Sequence, residues 1–301
     1  MYDLIIIGAG PAGITASVYA ARKRMNLLVI SKDIGGQAAL SGDIENYTGY
    51  QFITGPELAQ KFEEHMHKFN IALKENEEVV EIKKVDDKTL VKTNKGNYEA
   101  KTTIIASGKR SRELNVPGEK EFRNKGLTYC ATCDAPLFSG KVVAVIGGGN
   151  SALDAALQLI KIAKHVYIIN ITSVLDGDAI MREKINASEI VTVLNNSQVT
   201  DILGDRMVAG IKIKREGKLE RLDVQGVFIE IGLIPNSEFT KDIEKNQFGE
   251  IKVNSCNETN IPGVFAAGDV TDVPEKQIII AAGEGSKAAL SAFRYLVQHK
   301  F

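Results

Sequence analysis

The chain has 301 residues, 44% of them apolar and 25% charged, so it is long enough for two folded domains with apolar cores. Its 37 basic and 38 acidic side chains give a formal net charge of −1, which excludes the basic field expected of a protein that binds nucleic acid or an anionic membrane. No apolar run approaches the roughly 20 residues of a membrane span, and three cysteines are too few for a structural disulfide framework, so we expect a cytoplasmic protein with no membrane partner.

The N-terminus predicts a βαβ unit. A strand over residues 4–7 runs into a Gly-x-Gly-x-x-Gly turn at 8–13, an Ala-rich helical stretch continues to residue 23, and a second strand covers 27–30. A glycine fingerprint between a strand and a helix is typical of a dinucleotide site. The first apolar stretch has no basic flank or cleavage site, so we interpret it as a strand and not as a signal peptide.

The same pattern occurs a second time. A strand over 141–146 leads into Gly147, Gly148 and Gly149, and then come a helix over 153–162 and a strand over 166–169. Two such units predict an α/β fold with two Rossmann-like dinucleotide-binding domains.

Further elements are predicted between and after these units. Residues 263–269 are predicted to form a buried strand that ends in small residues, like the strand over 103–106. Residues 277–296 are predicted to form a helix in which Gly283 and Gly285 are tolerated interruptions. The short strands predicted between the two units cover residues 79–82, 90–93, 98–100 and 103–106.

A Cys-x-x-Cys-Asp segment lies just upstream of the second fingerprint: Cys130, Cys133 and Asp134. Between two dinucleotide units, this pair is typical of a redox-active disulfide that receives electrons from a flavin. The alternative is half of a zinc site, which needs two more ligands. Only Cys256 and four scattered histidines are available, so we expect no metal, and we expect Cys256 to be an ordinary small side chain. His65 and His67 are two positions apart and do not share a helix face.

These motifs resemble the low-molecular-weight flavin thioredoxin reductases over nearly the whole chain. The resemblance also rests on residues 35–37, 45–47, 54–56, 106–108 and 268–269. It implies an FAD domain made of 1–112 and 243–301, and an inserted pyridine-nucleotide-type domain, 113–242, that carries the cysteine pair. It further implies a homodimer, thioredoxin or a thioredoxin-like protein as the partner, and rotation of the domains about the connectors near 108–118 and 234–237.

The resemblance also implies roles for individual residues. Cys133 faces the flavin, Cys130 attacks the partner disulfide, and Asp134 acts as general acid and base. Gly8, Gly10 and Gly13 face the pyrophosphate, Asp269 binds the ribityl chain, and Gln277 with Ile278 lies at the flavin ring. The full set implied for FAD is Gly8, Gly10, Pro11, Ala12, Gly13, Ser31, Gly36, Gln37, Asn46, Gly108, Gly268, Asp269, Lys276, Gln277 and Ile278.

Two positions depart from the family pattern. Ser31 and Lys32 stand where an acid usually binds the adenine ribose of FAD, and Asp33 follows slightly late. After the second Rossmann strand, residues 170–174 contain neither the His-Arg-Arg of NADPH-dependent members nor the acid of NADH-dependent ones. In this the chain resembles the ferredoxin-dependent flavin thioredoxin reductases, whose donor supplies two single electrons in place of a hydride. An NAD(P)H-linked reductase with other ribose contacts stays open.

Two other classes of function stay open as well. Reductases of peroxide-scavenging systems share Gly149-Asn150-Ser151 and a tail like Lys276-Gln277, but they usually carry an extra N-terminal disulfide domain. In that role the chain would need a separate carrier protein. A non-enzymatic flavoprotein with a relic cysteine pair is the third class.

Overall fold

The computed structural model describes residues 1–41, 43–44, 46–129 and 131–299, with all their side chains except those of Asp43, Thr132 and Cys133. The chain forms two compact units. The first contains residues 1–110 and the segment from 234 onward, and the second contains residues 111–233. Within the described residues, no helix is long and apolar enough to cross a membrane.

The strands and helices are named in chain order. The strands are β1 (Tyr2–Ala9), β2 (Leu27–Ile34), β3 (Asp43–Ile44), β4 (Ile53–Thr54), β5 (Ala72–Lys74), β6 (Val79–Val85), β7 (Lys88–Thr93), β8 (Asn97–Ile105), β9 (Lys109–Ser111), β10 (Leu127–Thr128), β11 (Val142–Ile146), β12 (His165–Ile169), β13 (Val191–Leu194), β14 (Ser197–Gly204), β15 (Val208–Arg215), β16 (Lys218–Leu222), β17 (Gly226–Ile229), β18 (Leu233–Pro235) and β19 (Val264–Ala266). The helices are α1 (Pro11–Arg22), α2 (Gly36–Ala39), α3 (Gly55–His67), α4 (Ala131–Asp134), α5 (Asn150–Leu159), α6 (Ala179–Asn186) and α7 (Ile278–Gln298), and a 3₁₀ turn covers Ala135–Phe138.

The first unit is built on one mixed sheet. The strand order is β5-β2-β1-β8-β7-β6, and β19 pairs with β8 in parallel. The neighbouring strands β5, β2, β1 and β8 are parallel to one another. Strand β7 is antiparallel both to β8 and to β6. Leu4, Ile5 and Ile6 are fully buried, as expected for a central parallel strand that is covered on both faces.

Strand β8 is longer than predicted. The sequence indicates separate strands at 98–100 and 103–106, but residues 97–105 form one strand. Along one edge its first half pairs with β7 and its second half with β19, while β1 pairs with the opposite edge, so the strand changes partner on one side without a break. The Thr102 hydroxyl donates to the carbonyl oxygen of Asp3 at 2.7 Å, which keeps this polar side chain satisfied inside the sheet.

Helices α1 and α7 pack closely against each other. A Cβ atom on Gly285 would lie 2.0 Å from the carbonyl oxygen of Ala12, so only glycine permits this approach. A Cβ atom on Gly283 would meet nothing within 4 Å. Of the two predicted interruptions of the C-terminal helix, one is therefore required by packing.

The second unit has a parallel sheet of order β10-β17-β11-β12-β13 and an antiparallel sheet of order β14-β15-β16. Helix α5 begins at Asn150, three residues before the predicted start, because Gly149 is already its N-cap. Apolar side chains of α5 pack on β11 and β12, with Leu153, Ala156 and Leu159 fully buried. The α/β fold class with two Rossmann-like domains is confirmed.

The chain leaves the first unit and returns to it at neighbouring points. Strands β9 and β18 pair with each other. Within the first unit, the Ser107 hydroxyl donates to the Asn236 carbonyl at 2.6 Å, and Asn236 Nδ2 donates to the Ser107 carbonyl at 2.8 Å. Residues 234–242 thus pack with the first unit, so the return crossing lies at 233/234, whereas the resemblance implies 242/243.

Candidate active site

The first unit contains a cavity of about 840 Å³ at the carboxyl ends of its parallel strands. This is the size and position expected of a dinucleotide site in a doubly wound sheet. The residues predicted from the sequence that line it are Gly8, Gly10, Pro11, Ala12, Ser31, Gly36, Gln37, Gly108, Gly268, Asp269, Lys276, Gln277 and Ile278. Gly13 and Asn46 are not among the lining residues.

The glycines of the first turn are required for different steric reasons. Gly8 has a φ of +104°, and a Cβ there would lie 2.3 Å from the carbonyl oxygen of Ala106. A Cβ on Gly13 would lie 1.8 Å from the carbonyl oxygen of Gly8. Gly13 therefore permits helix α1 to pack on β1, while Gly10 and Pro11 bring the helix start to the cavity. Free amides at a helix start favour an anion such as a pyrophosphate.

The end of β2 brings both Ser31 and the acid Asp33 to the cavity. The Ser31 hydroxyl accepts from the Ala9 amide at 3.0 Å and donates to the Asp33 carbonyl at 2.6 Å, so its single proton is used within the chain. Two carboxylates reach the same cavity from the segment before β6. Glu77 is buried, and Glu78 pairs with Lys32 at 2.6 Å. Neither was predicted from the sequence, because both are about 45 positions from the β2 motif.

Two residues implied on the flavin side are joined directly. Asn46 Nδ2 donates to Gln277 Oε1 at 3.1 Å, although Asn46 itself does not line the cavity. Gln277 is the N-cap of α7. The bond fixes the amide of Gln277 at the cavity wall, so Asn46 acts there as a supporting residue.

Charged side chains surround Asp269. Burial raises the pKa of Asp269, and the nearby Lys276 and Lys109 oppose that rise. Both lysines also contact Glu250, at 2.6 Å from Lys109 and 3.2 Å from Lys276. The buried Glu284 accepts from the Gly268 amide at 2.9 Å and so holds the turn before Asp269. Neither Glu250 nor Glu284 belongs to a sequence motif.

The glycine turn of the second unit is packed against its own chain. Asn170, directly after β12, is 2% exposed, and a Cβ on Gly148 would lie 2.3 Å from its Oδ1 atom. Asn170 Nδ2 lies 2.8–3.1 Å from the carbonyl oxygens of Thr172 and Val174 and from Asn195 Oδ1, and Asn170 Oδ1 accepts from the Thr172 hydroxyl at 3.0 Å. The side chain directly after β12 is thus fully engaged with the following loop and with Asn195.

The cysteine pair lies largely outside the described residues. Cys130 is not described, and the side chain of Cys133 is not described, although its backbone belongs to α4. Asp134 ends this short helix and accepts a hydrogen bond from the hydroxyl of Thr128. Across the described part of the chain, no cluster of three or more His, Cys, Asp or Glu side chains could hold a metal ion.

A second cavity, of about 250 Å³, lies within the second unit beside α4 and α5. Glu230 and Asp154 line it, and Glu230 Oε1 accepts from the Ala131 amide at 3.4 Å. Burial raises the pKa of Glu230 to about 7, the Ala131 amide opposes the rise, and the charge of Asp154 adds to it. This carboxyl group was not predicted from the sequence, because an acid after a buried strand has no motif of its own.

Residues 2–285 match the pyridine nucleotide-disulphide oxidoreductase family, which is nearly the whole chain. The chain belongs to this family. The thioredoxin reductases and alkyl hydroperoxide reductase components of this family are FAD-binding flavoproteins. The cavity of the first unit has the size, the helix start and, in Asp269, the carboxylate that suit FAD. The expectation of FAD as the cofactor is therefore confirmed.

The curated relatives of this family member are longer than the chain. It is 42% identical over 301 residues to the NADH dehydrogenase of Bacillus subtilis (strain 168), covering 99% of this chain and 59% of that protein. It is 41% identical over 305 residues to one component of the alkyl hydroperoxide reductase of Pseudomonas aeruginosa, covering 99% of this chain and 58% of that protein. The chain thus spans about three fifths of the length of these relatives.

Solved structures match over their full length. Thioredoxin reductase of T. acidophilum is 40% identical, with a TM-score of 0.81 over 98% of this chain and 99% of that one. A ferredoxin-flavin thioredoxin reductase from Clostridium acetobutylicum is 32% identical, with a TM-score of 0.55 over 99% of each chain. The likeness to flavin thioredoxin reductases is confirmed, but it is weaker for the ferredoxin-dependent branch that residues 170–174 favour.

Proposed function

We propose that the protein is a flavin-dependent reductase of protein disulfides, with a thioredoxin or thioredoxin-like protein as its partner. The observation that carries the proposal is the short helix α4, which contains Cys133 and ends at Asp134, in a chain whose other unit has a cavity suited to FAD. FAD held in that cavity, once reduced by the electron donor, would supply two electrons. The Cys130–Cys133 disulfide accepts them and becomes a dithiol after taking up two protons.

The chain's own residues then complete the exchange. The thiolate of Cys130 attacks one sulfur of the partner disulfide, and the other partner sulfur leaves as a thiolate that must gain a proton. Asp134 is the proposed source of this proton, and its hydrogen bond from Thr128 keeps the carboxyl group in place. Cys133 next displaces the partner from Cys130, which restores the disulfide and releases the reduced partner.

The proposed electron donor is a one-electron carrier of the ferredoxin type. Support comes from Asn170, whose side-chain amide donates to the loop at 172–174 and to Asn195 and is therefore not free to bind a ribose. An enzyme that uses NADH needs an acceptor for the ribose hydroxyls at this position, and one that uses NADPH needs cations for the 2′-phosphate. Asn170 offers neither in this arrangement.

A second candidate is an NADH-linked reductase that serves a peroxide-scavenging system. The observation in its favour is the 41–42% identity to an NADH dehydrogenase and to a component of an alkyl hydroperoxide reductase over 99% of the chain. In this case the loop after Asn170 must move when the nucleotide binds.

One anaerobic experiment separates the two candidates. The purified yellow protein is mixed with NADPH, NADH or chemically reduced ferredoxin, and flavin bleaching is followed by absorbance. Bleaching by ferredoxin alone supports the first candidate, while rapid bleaching by NADH contradicts it and supports the second. The Cys130→Ser and Cys133→Ser variants should still bleach but should not reduce thioredoxin. Full thioredoxin turnover by either variant would refute the proposed disulfide relay.

A further inference from the structure

Glu230 stands at a special place in the sheet of the second unit. It follows β17 directly, and its amide donates to the carbonyl of Ile146, the last residue of the neighbouring strand β11. The backbone carbonyl of Glu230 lies close enough to Gly147 that a Cβ there would approach it to 2.2 Å. The Glu230 side chain is thus fixed at the carboxyl edge of the sheet, beside the cavity of about 250 Å³.

The carboxyl group of Glu230 touches the segment that carries the cysteine pair. Its Oε1 atom accepts from the amide of Ala131 at 3.4 Å. Ala131 follows Cys130 in the chain and is the first residue of α4, which contains Cys133. A negative charge beside a cysteine raises the pKa of its thiol, whereas a neutral hydrogen-bond acceptor leaves the thiolate more accessible.

The surroundings of Glu230 allow its charge to change near neutral pH. Burial raises its pKa to about 7, the Ala131 amide acts against this, and Asp154 on α5 adds to the rise. Tyr129 also lines the cavity, but its hydroxyl donates to Glu119. Among the described residues that line this cavity there is no lysine or arginine to fix Glu230 in its charged form.

We propose that Glu230 is a positioning residue for the Cys130–Cys133 pair, acting through the amide of Ala131, and that loss of its proton lowers the fraction of thiolate in the pair. The inference rests on the proposed function, in which this pair is the working dithiol. When Glu230 is protonated, the carboxyl group holds the amide without repelling a thiolate. When it is ionised, it disfavours a second negative charge nearby, so thiol exchange slows relative to a neutral side chain.

The test measures thiol reactivity and needs neither donor nor partner. The flavin-loaded protein is reduced with dithiothreitol and alkylated with iodoacetamide between pH 6 and pH 9, and each cysteine peptide is quantified by mass spectrometry. Glu230→Gln keeps the shape and removes the charge. The matched control is Glu220→Gln on the exposed strand β16, and Cys256 is the internal reference in every sample.

We expect wild type and Glu230→Gln to react alike at pH 6, where Glu230 is neutral. At pH 8 the more reactive cysteine of the pair should react about three- to tenfold faster in Glu230→Gln, because a unit change in pKa is a tenfold change in thiolate. Cys256 and the Glu220→Gln variant should show no such change. A constant ratio between Glu230→Gln and wild type at every pH would mean a purely structural role and would overturn the inference.

A second variant keeps the inference testable if Glu230→Gln does not fold. Asp154→Asn removes the charge that helps to keep Glu230 protonated, so the reactivity of the pair should fall below that of wild type around pH 7 and match it at pH 6. Unchanged reactivity in Asp154→Asn across the range would contradict the inference. A different result would refute the proposed function alone: wild-type protein does not reduce thioredoxin with any donor, but Glu230→Gln still shows the expected faster alkylation at pH 8.

Discussion

The ammonium group of Lys109 lies 2.6 Å from the carboxylate of Glu250, although 141 positions separate the two residues in the chain. Lys276 approaches the same carboxylate oxygen at 3.2 Å, and Asn246 Nδ2 donates to the other oxygen at 2.6 Å. Both lysines line the cavity of the first unit, whereas Glu250 does not. Glu250 therefore pairs with and orients two cations in the wall of the proposed FAD site.

The Glu250→Gln substitution should lower the free energy of unfolding by about 2 kcal/mol, because it leaves two largely buried ammonium groups without their counterion. Urea denaturation at pH 7 measures this effect. Burial acts to raise the pKa of Glu250, but its bonds to Lys109, Asn246 and Lys276 dominate and lower it. The contribution of Glu250 is therefore full above its unfolded pKa and is lost as the pH falls through the folded value.

Glu238→Gln is the matched control for this substitution. Glu238 pairs with Arg110, but its side chain is 61% exposed, against 12% for Glu250. An exposed ion pair contributes less than about 0.5 kcal/mol. Equal losses in the two variants would refute the role assigned to the buried cluster.

Gly285→Ala should destabilise the first unit by about 2 kcal/mol or more, since the new methyl group would lie 2.0 Å from the carbonyl oxygen of Ala12. The displaced start of α1 should also bind FAD less well, which a lower ratio of flavin to protein absorbance would report. Gly283→Ala has free space on the same helix and should stabilise the protein by about 0.5 kcal/mol. If both alanine variants unfold at the same denaturant concentration, the close packing of α1 and α7 is not a constraint.

Asp269→Asn should stabilise the protein after removal of FAD while weakening its hold on FAD. Burial raises the pKa of Asp269, so its charged form costs stability at neutral pH. The variant should gain about 1 kcal/mol at pH 7, and this gain should vanish below the unfolded pKa, where the wild-type carboxyl is also protonated. Denaturation of the FAD-free proteins at pH 7 and pH 3.5, together with FAD titration, measures both effects. A variant that is less stable at pH 7 would contradict the argument.

Asn170→Asp should destabilise the second unit by about 2 kcal/mol, because a carboxylate cannot donate to the carbonyls of Thr172 and Val174 and would repel them. Asn186→Asp, at an exposed position at the end of α6, is the matched control and should cost less than about 0.5 kcal/mol. Thermal unfolding followed by circular dichroism measures both changes. Stability equal to wild type in Asn170→Asp would show that the loop does not depend on this amide.

Local patterns predicted much of the fold and of the FAD site. The glycine turns and the buried strands have short-range signatures, because turn geometry and apolar periodicity are set by neighbouring residues. Gly8 belongs to such a turn, whereas Asp269 and Gln277 were expected from the family resemblance, and all three line the cavity of the first unit. The merging of two predicted strands into β8 was not predictable in this way, since it depends on which strands lie beside it.

The residues that were missed act over long separations in the chain. Glu284 supports the Gly268 turn from α7, and Glu250 joins Lys109 to Lys276. Glu230 reaches Ala131 from 99 positions away. Single charged residues in these contexts look like ordinary solvated side chains, and only the folded chain gives them partners. Ser31 illustrates the converse, since a residue at a motif position donates its hydroxyl proton to the backbone carbonyl of Asp33.

The reciprocal bonds between Ser107 and Asn236 hold the outgoing and returning chain side by side in the first unit. A segment whose two ends start from adjacent points can be removed as a cassette. A short turn in place of residues 111–233 should let the first unit close its own sheet, because none of the strands in that sheet comes from the removed segment. The same arrangement makes this junction a natural site for exchanging one inserted unit for another in evolution without rebuilding the sheet and cavity of the first unit.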